Sequence, residues 1–140
     1  MVAGGRPHGL FRLWSRCSLV GALRSRPWPI GMPTPWLDWR VDSMGMPDGA
    51  AMDQEGCYWS CGIFAGAIHR FDQSGTHLES YCLPISQPTM CCFGGDDLRT
   101  LFVTSMTLRL DAVQRASQPL AGTVIAFRVG VAGAPVGVFE

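Results

Sequence analysis

The chain has 140 residues, enough for one hydrophobic core, and 47% of them are hydrophobic. Its 11 basic residues are all arginine and balance 11 acidic residues, so the formal net charge is zero. This balance excludes a uniformly basic nucleic-acid-binding chain, and no apolar run reaches the roughly 18 residues that a membrane-spanning helix needs.

Residues 1–45 differ in composition from the rest of the chain. They hold six of the 11 basic residues, and no acidic residue precedes Asp38. Four apolar residues have helical spacing with arginines between them. These residues are Leu10, Leu13, Trp14 and Cys17. The pattern permits a short basic amphipathic helix, as in transit-type leaders, or an irregular segment without a selected fold. Prolines between residues 27 and 35 then predict an extended connector.

From residue 46 onwards, strand signals recur at the roughly 8–12-residue spacing of a sandwich or propeller. The predicted strands cover residues 50–53, 57–63, 66–71 and 76–83. Tight turns at 53–56 and 72–75 join them, because Asp caps such turns and Gly accepts positive φ. Pro84 ends the fourth strand, since proline has no N–H for the ladder.

Two similar stretches begin at Pro47 and Pro88, about 41 residues apart, which is the length of one propeller blade. Each has a proline, a short apolar run, an acidic-glycine turn and an apolar strand with an aromatic residue. After the second stretch we predict a strand at 100–105, a helical turn within 110–117 and a strand at 121–129. In that last strand one face is expected to carry Val124, Ala126 and Arg128, and the other Ile125, Phe127 and Val129.

The prediction is therefore an all-β fold. Residues 46–140 form part of a β-propeller, about two four-stranded blades, and residues 1–45 form an irregular or helical N-terminal segment. Two blades cannot close a ring, and an isolated pair leaves open strand edges. We expect either a fragment of a longer protein or a chain whose closing blades lie elsewhere.

The six cysteines favour buried free thiols. Cys57 and Cys61 resemble a metal pair, but four strand residues span about 13 Å, too far for two thiolates to share a zinc ion. Cys91 and Cys92 are adjacent on a predicted strand and should face opposite sides. Free thiols indicate a reducing, cytoplasmic compartment rather than a disulfide framework.

The histidines and serines give weak signals. A four-residue turn at 72–75 pairs Arg70 with His77 and His69 with Leu78, which predicts that the two imidazoles lie on opposite faces. No serine has a G-x-S-x-G setting, and no glycine-rich loop precedes a helix. The aromatic residues have strand-core spacing rather than lying among basic residues, so we expect no nucleic-acid partner.

Asp48, within Pro47-Asp48-Gly49, is the candidate for chemistry. One interpretation is a plain turn, in which Pro fixes φ, Asp bonds to the backbone and Gly takes the awkward angle. The other follows from its position at the first strand of a blade, which lines the channel of a propeller. There a carboxylate can face a bound cation, although calcium takes about six to eight oxygen ligands.

Several sequence blocks, in order, resemble the regucalcin and gluconolactonase family, also called the senescence-marker-protein or LRE-like family. The blocks are G-M-P-D-G-A-A-M-D-Q-E-G-C-Y-W at 45–59, G-A-I-H-R-F-D-Q-S-G at 66–75, the run at 83–105, and Q-P-L-A-G-T-V-I-A-F-R-V-G-V-A-G at 118–133. The resemblance covers about residues 45–139, the C-terminal third of a family member.

This resemblance implies a six-bladed β-propeller that holds one divalent cation, calcium or zinc, and hydrolyses sugar lactones. Asp48 matches the family's metal-ligating aspartate, proposed to help activate water; it is the one site residue carried over. The cation polarises the lactone carbonyl and the carboxylate orients or deprotonates water. The family's glutamate and asparagine ligands have no counterpart in this chain. A truncated lactonase and a non-catalytic calcium-binding or interaction fragment therefore both remain open.

Overall fold

The computed structural model describes residues 11–13 and 35–137. In chain order the elements are β1 (Phe11–Leu13), β2 (Leu37–Trp39), α1 (Val41–Met44), β3 (Met46–Met52), β4 (Tyr58–Ile63), β5 (Ala67–Phe71), β6 (His77–Cys82), β7 (Pro88–Gly94), β8 (Thr100–Ser105), α2 (Ala112–Ser117) and β9 (Val124–Arg128). The strands form three antiparallel sheets, ordered β1-β2, β3-β4-β5-β6 and β7-β8-β9. The predicted strands from residue 50 onwards are confirmed within a few residues.

The predicted turns have the expected chemistry. Gly56 has φ 78° and donates its N–H to the carbonyl of Asp53 at 3.1 Å. Gly75 has φ 84° and bonds in the same way to Asp72 at 3.0 Å, while the Asp72 carboxylate accepts further N–H bonds within its turn. Glycine accepts this left-handed conformation without steric cost, so both hairpins are determined locally.

The main core lies between the two larger sheets. Trp59, Cys61 and Ile68 of the first sheet pack with residues of the second sheet. The contributions of the second sheet include Cys91, Leu101 and Val103. Along β9, residues 124, 126 and 128 are exposed and the two between them are half-buried, which confirms the predicted alternation. The second sheet has three strands within residues 35–137, one fewer than predicted for a blade.

The opposite face of the first sheet is covered by residues 35–44. Leu37 and Trp39 of β2 form a second buried cluster with Phe71 of β5. The indole Nε1 of Trp39 donates to the carbonyl of Gly45 at 2.7 Å, which fixes the end of α1. This segment therefore packs as a layer on the sheet. The division at residue 45 into two segments stays a prediction.

A helix is one of two alternatives given above for residues 10–17, and at Phe11–Leu13 the structure has a strand instead. These three residues form β1, which pairs with β2 from Phe11 opposite Trp39 to Leu13 opposite Leu37. Their partner strand is anchored in the second cluster, so strand pairing there overrides the weak helical spacing. The remaining residues of the predicted helix, including Cys17, lie outside the described residues.

After β9 the chain returns to the first sheet. Gly133 forms an isolated bridge with Asp53, and the N–H of Gln54 donates to the carbonyl of Ala132 at 2.9 Å.

The predicted helical turn is confirmed as α2, which Asp111 caps in a reciprocal capping box with Gln114. No helix among the described residues is long and apolar enough to cross a membrane.

His69 gives the fold a pH dependence. Its ring is 4% exposed, and burial lowers its pKa from the ordinary value of 6.5. The unfolded chain therefore binds more protons on this group, so the free energy of unfolding should fall as the pH drops through about 6.5. Urea denaturation between pH 7 and pH 5 should show this loss in the parent chain and a smaller one in His69→Gln.

The exposed ring of His77 supplies the control for that measurement. The His77→Gln variant should keep most of the pH dependence of the parent chain. Equal slopes in the parent chain and in His69→Gln would contradict the assignment of the effect to the buried ring.

Candidate functional site

The Pro47-Asp48-Gly49 motif lies inside β3, so its interpretation as a plain turn is wrong. Pro47 pairs with Gly62 and Ala50 with Ser60, so β3 advances three residues where β4 advances two. The extra residue makes a β-bulge, a feature that re-aims side chains at the start of a strand. Asp48 thus sits on a bulged strand and its side chain is exposed.

The second sheet repeats this irregularity. Its first strand, β7, also begins with a proline, and its register shifts between Pro88 and Met90, opposite Ser105 and Thr104. The related positions of Pro47 and Pro88, inferred from their spacing, therefore have related backbone conformations.

Position 49 requires glycine because β3 and β7 approach each other closely there, and not because of its backbone angle. A Cβ at this position would lie 2.2 Å from Sδ of Met90 and 2.6 Å from the carbonyl oxygen of Thr89. Both distances are well below van der Waals contact. The first strands of the two sheets therefore meet at Gly49, and Asp48 is held beside this seam.

Asp48 has a protonated thiol as its neighbour. A hydrogen bond with Cys91 and burial raise the pKa of Cys61, and the negative charge of Asp48 raises it further. Cys61 is fully buried in the main core and remains a thiol at neutral pH. It is therefore a poor metal ligand, which leaves the Asp48 carboxylate as a hard oxygen donor.

Asp48 alone does not complete a cation site. Calcium takes about six to eight oxygen ligands. Among residues 11–13 and 35–137, the one group of three or more potential ligands is Asp53, Glu55 and Cys57, which does not include Asp48. Among the described residues, Asp48 therefore belongs to no group that fits a complete metal site.

The Asp53 group is an ion-pair cluster rather than a metal site. Asp53 is 1% exposed, and its Oδ1 accepts the N–H groups of Glu55 and Cys57, both at 2.9 Å. Its Oδ2 accepts from the indole of Trp59 and from Nε of Arg70, also at 2.9 Å. Burial and the charge of Asp53 raise the pKa of Cys57, so this thiol keeps its proton. A metal ion would have to displace Arg70.

Arg70 links this cluster to the neighbouring strands. Its guanidinium pairs with Asp53 at 2.8 Å, with Glu55 at 2.6 Å and with Glu79 at 3.1 Å, and its Cζ lies 5.6 Å from the ring centre of Trp59. The sequence identified Asp53 only as a turn residue. The placement of Arg70 on β5 opposite Glu79 on β6 is a signal for this cluster. The signal can be recognised only once the register of the two strands is known.

The cysteines follow the prediction in part. Cys57, Cys61 and Cys91 are buried free thiols, whereas Cys82 and Cys92 are free and exposed. Cys91 and Cys92 therefore face opposite sides of β7, as predicted. Cys57 belongs to the Asp53 cluster and Cys61 to the main core, so they do not form a metal pair.

The prediction that the two imidazoles lie on opposite faces is wrong. Phe71 pairs with His77 and His69 with Ser80, and a register shift leaves Leu78 as an extra residue on β6. This bulge returns His77 to the face of His69, and the two ring centres lie 5.8 Å apart. A bulge beside the turn cannot be inferred from turn length alone, which is why the sequence missed it.

Removing Arg70 should strongly destabilise the protein. Arg70→Met leaves a fully buried carboxylate without its cation, which costs about 3–5 kcal/mol when a buried pair is broken. The matched control is Arg128→Met, whose partner Asp97 is exposed, so its loss of stability should be much smaller. Urea denaturation of both variants measures the difference, and equal losses would contradict a structural role specific to Arg70.

A side chain at position 49 should separate the two sheets. Gly49→Ala places a methyl group against backbone atoms of β7, and overpacking of this kind costs about 1–3 kcal/mol. Gly130→Ala is the control, because nothing lies within 4 Å of its added Cβ. Thermal unfolding should show a clear loss for Gly49→Ala alone. A neutral effect at position 49 would mean that β3 and β7 do not meet there.

Comparison with known proteins identifies the family. The family model described as SMP-30/Gluconolactonase/LRE-like region matches residues 28–107. The chain is 47% identical over 91 residues to the 6-deoxy-6-sulfogluconolactonase of Pseudomonas putida, a match that covers 65% of this chain and 31% of that protein. It is 41% identical to regucalcin of Danio rerio, with 65% and 32% covered. The chain thus spans about a third of the length of these relatives.

Solved structures agree with this similarity. A calcium-binding protein, regucalcin, from Agrobacterium tumefaciens superposes with a TM-score of 0.70 at 31% identity, covering 76% of this chain and 36% of that one. A luciferin-regenerating enzyme superposes with a TM-score of 0.60 at 27% identity, over 76% of this chain and 37% of that one. The number of blades stays a prediction. With the family match over residues 28–107, these similarities confirm the predicted resemblance: the chain belongs to the SMP-30/gluconolactonase/LRE-like family.

Proposed function

We propose that this chain supplies the cation-facing third of a metal-dependent lactonase that opens sugar lactones, with Asp48 as its site residue. The single observation that carries the proposal is the placement of Asp48, an exposed carboxylate on a bulged strand beside the seam of two sheets. A relative that is 47% identical is named as a sulfogluconolactonase, which supports a sugar lactone as the substrate class.

The contrast between Asp48 and Asp53 supports this role. Asp53 lies six residues from Trp59 along the same hairpin and is fully committed to N–H donors and Arg70. Asp48 is exposed, and its described electrostatic neighbour is the neutral thiol of Cys61. A carboxylate without a bound guanidinium is available to a cation or a water molecule, so Asp48 is the better site residue.

The backbone supports precise placement of this carboxylate. Pro47 fixes φ one residue before Asp48, and Gly49 is pressed against β7 one residue after it. Catalytic groups act best when their own positions are fixed by such packing. The bulge lies on β3, which has a strand partner on one side within the described first sheet.

The chemistry proposed for Asp48 is ordinary acid–base chemistry. A divalent cation, calcium or zinc, when bound, would supply polarisation of the lactone carbonyl and a lowered pKa of water. Asp48 would contribute one oxygen ligand, or would orient water and accept its proton as that water attacks the carbonyl carbon. The ring C–O bond then breaks and the leaving oxygen takes up a proton, which yields the open hydroxy acid.

The remaining ligands would come from sheets outside this chain, which spans about a third of its relatives. We further propose that residues 46–140 are the part of the chain that joins such a ring. A cytoplasmic location is proposed from the free thiols.

A second candidate function is non-catalytic calcium binding. Two observations favour it: a regucalcin that superposes on this chain is described as a calcium-binding protein, and the chain spans only about a third of that structure. On this alternative, Asp48 contributes to a weak calcium site and no lactone is opened.

A chimera tests the two functions. The part of this chain that matches the Pseudomonas putida relative, 47% identical over 91 residues, replaces the corresponding 31% of that protein. The chimera should hydrolyse an aldonolactone in the presence of a divalent cation, and Asp48→Asn should lower kcat/KM by about 10²-fold or more, the usual contribution of a general base. The control is Asp96→Asn, which changes an exposed carboxylate in the turn after β7 and should leave turnover intact.

The outcomes separate the candidates. A folded chimera that binds calcium by titration calorimetry but opens no lactone supports the non-catalytic function. A chimera that does neither contradicts both functions. Equal turnover in the parent chimera and in Asp48→Asn removes Asp48 from the site.

A further inference from the structure

Two histidines and a serine converge on the face of the first sheet that carries α1. His69 lies on β5, directly opposite Ser80 on β6, and the bulge at Leu78 brings His77 to the same face. Nδ1 of His69 and Nε2 of His77 each lie 2.8 Å from Oγ of Ser80. Two imidazole nitrogens therefore point at one small volume.

The hydrogen bonds of His69 fix its tautomer. Its Nε2 lies 3.1 Å from the carbonyl oxygen of Met44, which can only accept, so Nε2 carries the proton. Nδ1 of the neutral ring therefore presents a lone pair. Histidines that bind metals usually donate their other N–H to a backbone carbonyl or a carboxylate in this way.

The ring of His69 is also buried and held in place. Trp39 packs edge-on against it with ring centres 5.4 Å apart, which limits its rotation. One ligand of the pair is therefore preorganised.

We propose that Nδ1 of His69 and Nε2 of His77 bind a divalent transition-metal ion of the zinc or copper type, with the Ser80 hydroxyl and water as further ligands. Imidazole nitrogens suit zinc, copper and nickel, whereas calcium and magnesium prefer oxygen ligands. The site is therefore different in kind from the oxygen site proposed at Asp48, and it does not use the Asp53 cluster.

An ion would be held by both nitrogens after a movement of the exposed His77 ring. Zinc–nitrogen bonds of about 2.0–2.1 Å place two tetrahedral nitrogens about 3.3 Å apart. Both nitrogens already lie within hydrogen-bond distance of one oxygen atom, and His77 and Ser80 are exposed. The ring of His77 can therefore move inwards, and the ion can enter from solvent and replace the hydrogen bonds that meet at Ser80.

Binding would join separate parts of the fold. His69 is bonded through Met44 to the end of α1, and His77 begins β6 after the hairpin turn. An ion shared by both histidines would link β5, β6 and α1. An ion that binds only the folded state raises the unfolding temperature, so the site should act as a metal-dependent brace of the first sheet.

The test uses the full chain with Cys82→Ser and Cys92→Ser, because these exposed thiols bind the same ions. Zinc titration by calorimetry should show one ion per chain, and saturating zinc should raise the unfolding temperature. His77→Gln should lower zinc affinity at least tenfold and remove the temperature rise. Electron paramagnetic resonance with copper should detect two coordinated nitrogens, and one in His77→Gln.

His8→Gln, which alters the third histidine of the chain, is the matched control and should bind zinc like the parent. Circular dichroism of metal-free His77→Gln should match the parent, so that lost binding reports a lost ligand. The proposal is overturned if zinc does not bind at millimolar concentration, if His77→Gln binds it unchanged, if His8→Gln abolishes binding, or if calcium gives the same temperature rise.

Discussion

The contact on which the rest of the structure depends is the approach of β3 to β7 at Gly49. Only a residue without a Cβ allows the Thr89 carbonyl and Met90 to come so near. This contact aligns the first strands of the two sheets, and the core that includes Trp59, Cys61 and Leu101 fills the space between the sheets. Because interiors are close-packed, a shift at the seam would be transmitted to that core and to the neighbouring carboxylate of Asp48.

Two carboxylates of one hairpin lie in different environments. Asp53 is buried and receives four hydrogen bonds, so its charge is compensated and its function is to hold the turn and Arg70 in place. Asp48 is exposed on a bulge, beside a neutral thiol. The charge of Asp53 is balanced by Arg70 inside the fold, whereas the carboxylate of Asp48 is exposed to solvent.

Sequence patterns predicted most of the strands, because glycine turns and alternating burial are local properties. They singled out Asp48 as the candidate site residue, but they gave the wrong reason for Gly49. Glycine is needed there because β7 lies close by. Since β7 is distant in sequence, the sequence alone made this glycine resemble a turn residue. The bulge at Leu78 was missed for a similar reason, and with it the placement of His69 and His77 on one face of the sheet. The Asp53–Arg70 cluster depends on the register of three strands, which single residues do not reveal. The resemblance to a family supplied the expected number of blades and the lactone substrate, which spacing alone did not.

We propose that Asp48, rather than the Asp53 cluster, faces an oxygen-preferring cation. Manganese titration followed by nuclear magnetic resonance measures this most directly, because the paramagnetic ion broadens amide signals near its site, even when binding is weak. Our account predicts early broadening at Gly49 and Ala50, with Glu55 and Cys57 unaffected and with the effect lost in Asp48→Asn. Early broadening at Glu55 and Cys57, or the same broadening at Gly49 in Asp48→Asn, would contradict it.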